Sequence, residues 1–301
     1  MFVIRWLCLA IPALLTTGAL AQDLPQTQSV FVEKQGVKLH CMTSGEGPLV
    51  IMLHGFPDYW YTWRHQMPPL AQTHHVVALD MRGYNLSDKP EGVENYAMDK
   101  LVSDVLAVAD HFKQERFTLV GHDWGGAIAW STAIAHPERV ARLIVLNLPH
   151  PRGLLRELAN NPEQRKASQY AFDFLQEDAA RKIRAEDLAF WVSDAAAQAY
   201  YKEAFKRSSL ESMLSYYKAN FPRPPFDKSV FGDPPNVKCP TLLIHGLNDP
   251  ALLPGALNDT WKWIDNELTL VTIPGAGHFV QQDAADRVAR SIKDWLASHP
   301  L

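Results

Sequence analysis

The sequence predicts an α/β fold, in which a mostly parallel β-sheet is covered by helices on both faces and carries an inserted helical cap. Short, continuous apolar runs recur along the chain and are bounded by turn residues, as in strands that are buried on both faces. Amphipathic helical patterns separate most of these runs, which favours parallel strands joined by crossover helices. The alternation stops once, for a long helical segment, and then resumes.

Eight runs have the length and composition of strands, and the first two form a hairpin around Gly36. The predicted strands are Val30–Lys34, Val37–Met42, Leu49–Leu53, His75–Leu79, Phe117–Gly121, Leu143–Leu146, Thr241–Ile244 and Leu268–Ile273. The clearest helical patterns are Met98–Phe112, Ala127–Ala135 and Asp283–Leu296. Because most strands are continuous apolar runs, we expect both faces of the sheet to be covered.

The inserted segment is helical from about Leu154 to Lys218 and is rich in Ala, Glu, Lys and aromatic residues. A proline-dense connector follows it, between Phe221 and Pro235. The economical interpretation is a helical cap, residues 151–235, over a core formed by residues 22–150 and 236–301. In open α/β sheets, ligands bind at the carboxyl ends of the strands, so the cap is expected to cover that edge.

The N-terminus has the pattern of a secretory signal. One positive charge, Arg5, precedes an apolar run from Trp6 to Leu15, and Ala19-Leu20-Ala21 supplies small residues for cleavage. A membrane anchor needs about 20 apolar residues, and this run is shorter. We therefore expect residues 1–21 to be a signal peptide and the mature protein to be secreted or periplasmic.

Composition excludes several functional classes. The net charge is -4 with both signs interspersed, so there is neither a basic nucleic-acid face nor a polybasic membrane patch. The twelve histidines show no metal-ligand spacing, and no cofactor motif is present, so neither a metal nor a cofactor is expected. Cys41 and Cys239 are predicted to be buried, reduced thiols on separate strands.

Asp123 is the most informative residue of the chain. It occupies the centre of Val120-Gly121-His122-Asp123-Trp124-Gly125-Gly126, between a predicted strand and a predicted helix. Glycines at such a strand–turn–helix bend allow a strained backbone and a close approach of strand and helix. Aspartate is also a favoured helix N-cap residue, so Asp123 could simply cap the helix. The glycines around Asp123 favour a second role, that of a nucleophile whose carboxylate attacks a saturated carbon and becomes an ester.

His278 and Asp249 complete a predicted catalytic triad. His278 lies on a glycine-rich turn after the last strand, so that the nucleophile comes first and the histidine last, the chain order of the α/β-hydrolase fold. Its imidazole would take a proton from the water that hydrolyses the ester. Asp249 would orient His278 and stabilise its charged form. It lies in an Asn-Asp-Pro sequence, however, where aspartate is also common as an ordinary turn residue.

The loop His54-Gly55-Phe56-Pro57 follows the first core strand, where this architecture supplies part of an oxyanion hole. The backbone N–H groups of Phe56 and Trp124 are the expected donors to the negative charge that develops on the ester carbonyl. His54 and His122 are expected to be structural hydrogen-bonding residues rather than acids or bases.

The two motifs around Phe56 and Asp123 resemble those of the α/β-hydrolase-fold epoxide hydrolases, of the soluble type found in animals, plants and bacteria. The resemblance extends from residue 30 to residue 298, and the signal peptide suggests an exported bacterial type. It implies that two cap tyrosines donate hydrogen bonds to the epoxide oxygen. Tyr170, four residues before Phe174, and Tyr217, before a lysine, match that pattern, although aromatic packing would also suit them and Tyr216.

Related enzymes with the same aspartate offer alternatives. Haloalkane dehalogenases usually have asparagine in place of Phe56, and haloacetate dehalogenases have arginine in place of Trp124. One exported epoxide hydrolase type takes its orienting acid from the position of Asn147. A non-catalytic ligand-binding homologue should have lost a triad residue, and none is missing here.

The sequence therefore predicts an enzyme that hydrolyses an epoxide to a vicinal diol through an aspartyl ester, without a cofactor. The expected substrate is a small, apolar epoxide. Neither a nucleic acid nor a membrane is an expected partner, and a homodimer remains possible.

Overall fold

The computed structural model describes residue 24, residues 26–226 and residues 234–301. The predicted signal peptide, residues 1–21, therefore lies outside the described residues. The described part contains one eight-stranded sheet with the order β1-β2-β4-β3-β5-β6-β7-β8. The strands are β1 (Gln28–Lys34), β2 (Val37–Ser44), β3 (Leu49–Leu53), β4 (His75–Leu79), β5 (Phe117–His122), β6 (Val140–Leu146), β7 (Thr241–Gly246) and β8 (Leu268–Ile273).

The first two strand pairings, β1 with β2 and β2 with β4, are antiparallel, and all the remaining pairings are parallel. Every residue of β3, β5, β6 and β7 is buried, which explains why these strands read as continuous apolar runs. The mostly parallel, covered sheet that the sequence predicts is confirmed, as are all eight strands to within three residues.

Ten α-helices are described, in addition to short 3-10 turns. They are α1 (Met67–Leu70), α2 (Met98–His111), α3 (Trp124–Ala135), α4 (Pro151–Asn160), α5 (Pro162–Ala167), α6 (Gln169–Phe174), α7 (Ala195–Arg207), α8 (Leu210–Asn220), α9 (Val280–Asp283) and α10 (Ala285–Ser298). None of the helices described here is long and apolar enough to cross a membrane.

Two helix boundaries differ from the sequence prediction. Helix α3 begins at Trp124, three residues before the predicted Ala127, and its first turn packs against the end of β3 because Gly125 has no Cβ. The predicted C-terminal helix, Asp283–Leu296, corresponds to α10, and the non-helical backbone of Ala284, with φ of -131° and ψ of 44°, separates it from a short helix, α9, that was not predicted. Helix α9 follows His278, and α10 is long and amphipathic.

Helices α4 to α8 follow β6, where the inserted cap is predicted, and they contact loops at the carboxyl ends of the core strands. Tyr201 of α7 donates a 2.9 Å hydrogen bond to Asp58. Tyr216 of α8 donates a 2.8 Å hydrogen bond to the carbonyl oxygen of Arg82. These contacts place the helices over the edge of the sheet that holds Asp123. Cys41 and Cys239 are free and buried, as predicted.

Candidate active site

Asp123 occupies a strained turn between β5 and α3. Its φ of 50° and ψ of -120° lie outside the regions that non-glycine residues normally adopt. Its side chain makes no capping hydrogen bond to α3 in the described structure, although the residue precedes the helix directly. The backbone strain is therefore not compensated by a helix cap, and the carboxylate is directed toward other groups.

Three glycines make room for this turn. A Cβ on Gly121 would collide with the backbone of Gly125, and a Cβ on Gly125 would collide with the carbonyl oxygens at the end of β3. A Cβ on Gly55 would collide with the side chain of Asp123 itself. The sequence around the bend is thus dictated by the close packing of β3, β5 and α3 around one carboxylate.

His278 lies between two carboxylates. Its Nδ1 is 2.8 Å from Oδ2 of Asp249, and its Nε2 is 3.6 Å from Oδ2 of Asp123. The first distance is a hydrogen bond, whereas the second is an ion-pair distance that leaves Nε2 available to another partner. The three residues that the sequence assigns to a triad therefore come together, from β5, from the loop after β7 and from the loop after β8.

Asp249 combines the two roles that the sequence allows for it. Its Oδ1 accepts hydrogen bonds from the N–H groups of Ala251 and Leu252 at 2.8 and 3.0 Å, which fixes the turn. Its Oδ2 accepts from His278 and from Nδ2 of Asn147, the latter at 2.7 Å. The turn geometry thus positions the same carboxylate that orients the imidazole.

The charges of the triad shift its pKa values in opposite directions. Burial disfavours the charged form of Asp123, but the interaction with the nearby imidazole of His278 outweighs it and lowers the pKa of Asp123. Burial likewise lowers the pKa of His278, but the carboxylates of Asp249 and Asp123 outweigh it and raise that pKa. The resting site therefore holds ionised carboxylates around a protonated imidazole.

Backbone N–H groups meet the carboxylate of Asp123 from its other side. The N–H of Phe56 donates to Oδ1 of Asp123 at 2.8 Å. Trp124 is the first residue of α3, where N–H groups have no partner within the helix. Of the two predicted donors, the N–H of Phe56 thus binds the carboxyl group of Asp123, and that of Trp124 lies at the start of α3 with no helical partner.

Tyr170 of α6 and Tyr217 of α8 line the same cavity as Asp123. Their rings are 6.2 Å apart, and the phenol groups interact with each other. Burial, together with charge interactions that include Asp123, raises the pKa of both phenols above the ordinary tyrosine value. Both are therefore neutral hydrogen-bond donors, as the prediction requires.

Tyr216 is directed elsewhere. Its ring packs against Tyr84 and Tyr96, and its hydroxyl group donates a hydrogen bond to the carbonyl oxygen of Arg82. The structure thus separates the two adjacent tyrosines that the sequence leaves ambiguous, because Tyr217 lines the cavity and Tyr216 packs behind it.

The cavity at this site has a volume of about 300 Å³ and is mostly apolar. Asp123 lines it together with the two tyrosines from the cap helices α6 and α8. An apolar pocket with a few convergent polar groups is the usual form of a small-molecule site.

Comparison with known proteins places the chain in a family. A model described as the alpha/beta hydrolase fold matches residues 48–285. The chain is 34% identical over 283 residues to the AB hydrolase superfamily protein YfhM of Bacillus subtilis, covering 88% of this chain and 96% of that protein. It is 31% identical to epoxide hydrolase 3 of Xenopus tropicalis, covering 95% of this chain and 81% of that protein.

The crystal structure of Bacillus megaterium epoxide hydrolase in complex with an inhibitor superposes with a TM-score of 0.84 and 34% identity, covering 89% of this chain and 100% of that chain. The chain is an α/β hydrolase of the epoxide hydrolase family. A mutant of the Bacillus megaterium enzyme, which matches with the same TM-score of 0.84, 33% identity and the same coverage of the two chains, was crystallised with its product, a naphthyloxy-propane-1,2-diol.

Membership of this family decides between the alternatives. The enzyme hydrolyses an epoxide to a vicinal diol through a covalent aspartyl ester, and the dehalogenase and non-catalytic alternatives are set aside. At the site, Phe56 offers a ring where a halide would need an amide donor, and its ring packs edge-on against Phe174 and Tyr217.

The two nearby histidines are structural, as predicted. His54 is fully buried, its Nδ1 bonds the carbonyl oxygen of Gly55 at 2.8 Å, and its Nε2 accepts from the N–H of Met81. His122 bonds the carbonyl oxygen of His278 at 2.9 Å. Burial lowers the pKa of His54 to about 4 and that of His122 to about 3, so both are neutral.

Sequence reasoning missed the role of Asn147. The residue has a positive φ of 39° and is fully buried. Its Oδ1 accepts from the N–H of Gly246, and its Nδ2 donates to Asp249 and to the carbonyl oxygen of Gly277. Asn147 thus joins the two loops that carry the acid and the histidine. An asparagine at the end of a buried strand was the available signal.

Among residues 24, 26–226 and 234–301, no cluster of three or more His, Cys, Asp or Glu side chains could hold a metal ion. The polar groups of the site are instead bonded to one another and to the backbone.

Proposed function

We propose that Asp123 is the nucleophile of this epoxide hydrolase. Its ionised carboxylate attacks one carbon of the epoxide, the ring C–O bond breaks, and the electron pair passes to the ring oxygen. Tyr170 and Tyr217 donate hydrogen bonds to that oxygen. One of the two phenols supplies the proton that converts the alkoxide to a hydroxyl group, and that phenol then regains a proton from solvent. Support comes from the shared cavity, which holds the carboxylate and both neutral phenols.

In the second step, His278 activates a water molecule. Esterification removes the negative charge of Asp123, which is one of the two charges that raise the pKa of His278. The pKa of the imidazole therefore falls, the ring releases its proton to solvent, and the neutral Nε2 then takes a proton from water. Hydroxide attacks the ester carbonyl, and the N–H groups of Phe56 and Trp124 stabilise the oxyanion. As the diol leaves, its oxygen takes the proton from His278, and the proton of the regenerated Asp123 carboxyl group passes to the imidazole, which restores the resting site.

The observation that carries this assignment is the position of Asp123, which contacts the imidazole on one side and lines the ligand cavity on the other. A helix cap would need neither contact. An assay with matched epoxides, haloalkanes and haloacetates tests the assignment. We expect diol formation from epoxides alone and none with Asp123→Ala. Halide release at a comparable rate would contradict the assignment.

We further propose that the substrate is apolar. The cavity is lined chiefly by aliphatic, aromatic and proline side chains, and burying them against an apolar group contributes roughly 25 cal/mol per Å². The Bacillus megaterium relative, with its naphthyloxy-propanediol product, also binds an aromatic group beside the former epoxide.

We also propose export. Support comes from Arg5, the apolar run Trp6 to Leu15 and the small residues of Ala19-Leu20-Ala21. Expression of the full chain in a Gram-negative host, with fractionation and mass measurement, tests this proposal. A product that starts at Gln22 in the periplasm or medium is expected, whereas an uncleaved chain in the cytoplasm would overturn it.

A further inference from the structure

The cavity that Asp123 lines follows one face of α3. Its wall on this helix is formed by Trp124, Ala127, Ser131 and Ile134, which recur at helical spacing on that face. A helix rises 1.5 Å per residue, so this face extends about 15 Å from the nucleophile. Leu154 and Leu155 of α4 also line the cavity. The cavity therefore forms an arm that runs along most of α3, and α4 contributes to its wall.

The described residues of this arm are almost all apolar. Asp123 is the only charged side chain among the described residues that line the cavity, and the other polar side chains besides the tyrosines are Ser131 and Asn220. Nδ2 of Asn220 donates hydrogen bonds to the carbonyl oxygens of Tyr96 and Tyr216. A carboxylate at the far end of a substrate would find no positive partner among the described lining residues, which is unfavourable.

Aromatic rings pack around the two residues, Phe56 and His278, that contact Asp123. Phe56, whose N–H binds Asp123, packs against Phe174 with ring centroids 5.3 Å apart. Next to His278, Phe279 is stacked on Trp191 with ring centroids 3.6 Å apart and an interplanar angle of 4°. None of these four rings is among the described residues that line the cavity, so the described cavity does not extend between them.

We propose that the enzyme selects terminal epoxides that carry one elongated, uncharged, apolar substituent. The substituent lies along α3 between Ala127 and Ile134, with Ala127 beside the reacting carbon and Ile134 near the end of the arm. An epoxide with large groups on both carbons is rejected by the rings around Phe56 and Phe279. This inference rests on the proposed function and specifies its substrate.

A series of 1,2-epoxyalkanes of increasing length tests the proposal. We expect kcat/KM to rise with each methylene, by up to about fourfold, until the chain fills the arm. A trans-2,3-epoxide of equal carbon number should be at least about tenfold worse, since its second substituent has no space. A long 1,2-epoxide that ends in a carboxylate should likewise be at least about tenfold worse than its methyl ester.

Two variants locate the arm. Ala127→Phe should remove the dependence of kcat/KM on chain length, and Ile134→Phe should only lower the chain length at which the rise ends. Ala159→Phe, at an exposed position of α4 outside the cavity, is the matched control and should behave as the wild type.

The outcomes separate this inference from the proposed function. If propene oxide is hydrolysed but kcat/KM is independent of chain length in the wild type, the inference is overturned and the function stands. Equal rates for the trans-2,3-epoxide, or for the carboxylate and its ester, would also overturn the inference. If no epoxide is hydrolysed, the proposed function fails as well.

Discussion

Nε2 of His278 lies 3.6 Å from Oδ2 of Asp123, while Nδ1 of the same ring is held 2.8 Å from Asp249. The longer of the two distances matters chemically. A tight bond to Asp123 would occupy the nitrogen that must later activate water, whereas an open ion pair keeps the nucleophile ionised and leaves room for a water molecule once the ester forms. The geometry therefore suits both steps of the proposed reaction.

Replacement of His278 by glutamine should separate the two steps. His278→Gln retains Asp123 and the tyrosines, so ring opening should proceed, but the ester should persist because no base activates water. We expect steady-state turnover to fall by about four orders of magnitude or more. Mass spectrometry should show one substrate added per chain, on a peptide that contains Asp123. An unmodified chain with normal ligand binding would argue against an ester intermediate.

The protonation of His278 should depend on the charge at position 123. Two carboxylates raise the pKa of His278, so its imidazole should remain protonated at a pH above the ordinary histidine value of about 6.5. Asp123→Asn removes one of the charges, as esterification does, and should lower that pKa. Titration of the His278 ring by NMR in both proteins measures the difference. An equal pKa in the two proteins would refute the proposed switch from acid to base.

The tyrosines should act on ring opening rather than on ester hydrolysis. Tyr170→Phe and Tyr217→Phe each remove one donor to the developing alkoxide, and we expect each to slow ring opening by about a hundredfold. Tyr216→Phe is the matched control, since its hydroxyl is bonded to the Arg82 carbonyl and should affect stability only. Rapid-quench measurement of ester formation tests this. Slower ester hydrolysis with normal ring opening would contradict this role and show that the phenols act on ester hydrolysis.

Asn147 should be a positioning residue for Asp249. Asn147→Ala removes the 2.7 Å hydrogen bond to the carboxylate and the contacts to both neighbouring loops. We expect ester hydrolysis to slow by roughly tenfold or more and ring opening to change little. Asn160→Ala, on the exposed end of α4, is the control, because it makes the same substitution away from the site and should leave both rates unchanged. Equal slowing of both steps in Asn147→Ala would indicate a merely structural role.

The sequence predicts those features that depend on local chemistry. The glycine pattern around Asp123 follows from steric constraints, and the continuous apolar strands follow from burial. These two patterns were sufficient to predict the fold and to choose the three residues that meet as a triad. The start of α3 at Trp124 and the break at Ala284 were missed, because they depend on how the turn beside each helix packs. Local propensity contains little of that information.

Contacts between distant residues set the limit of the sequence analysis. Asn147 and Asp249 are 102 positions apart, and their hydrogen bond becomes visible only when β6 and β7 are paired. The same holds for the choice between Tyr216 and Tyr217, because only the packing of α8 shows which phenol reaches the cavity. The shape of the substrate arm was equally inaccessible, since α3 and α4 form it together.

The most direct test of the central claim is a single turnover in oxygen-18 water with enzyme in excess over epoxide. If Asp123 forms the ester and water attacks its carbonyl carbon, one heavy oxygen enters the peptide that contains Asp123, and the first diol carries an unlabelled oxygen from the enzyme. If the heavy oxygen appears in the first diol while Asp123 remains unlabelled, water attacks the epoxide directly and the account is wrong.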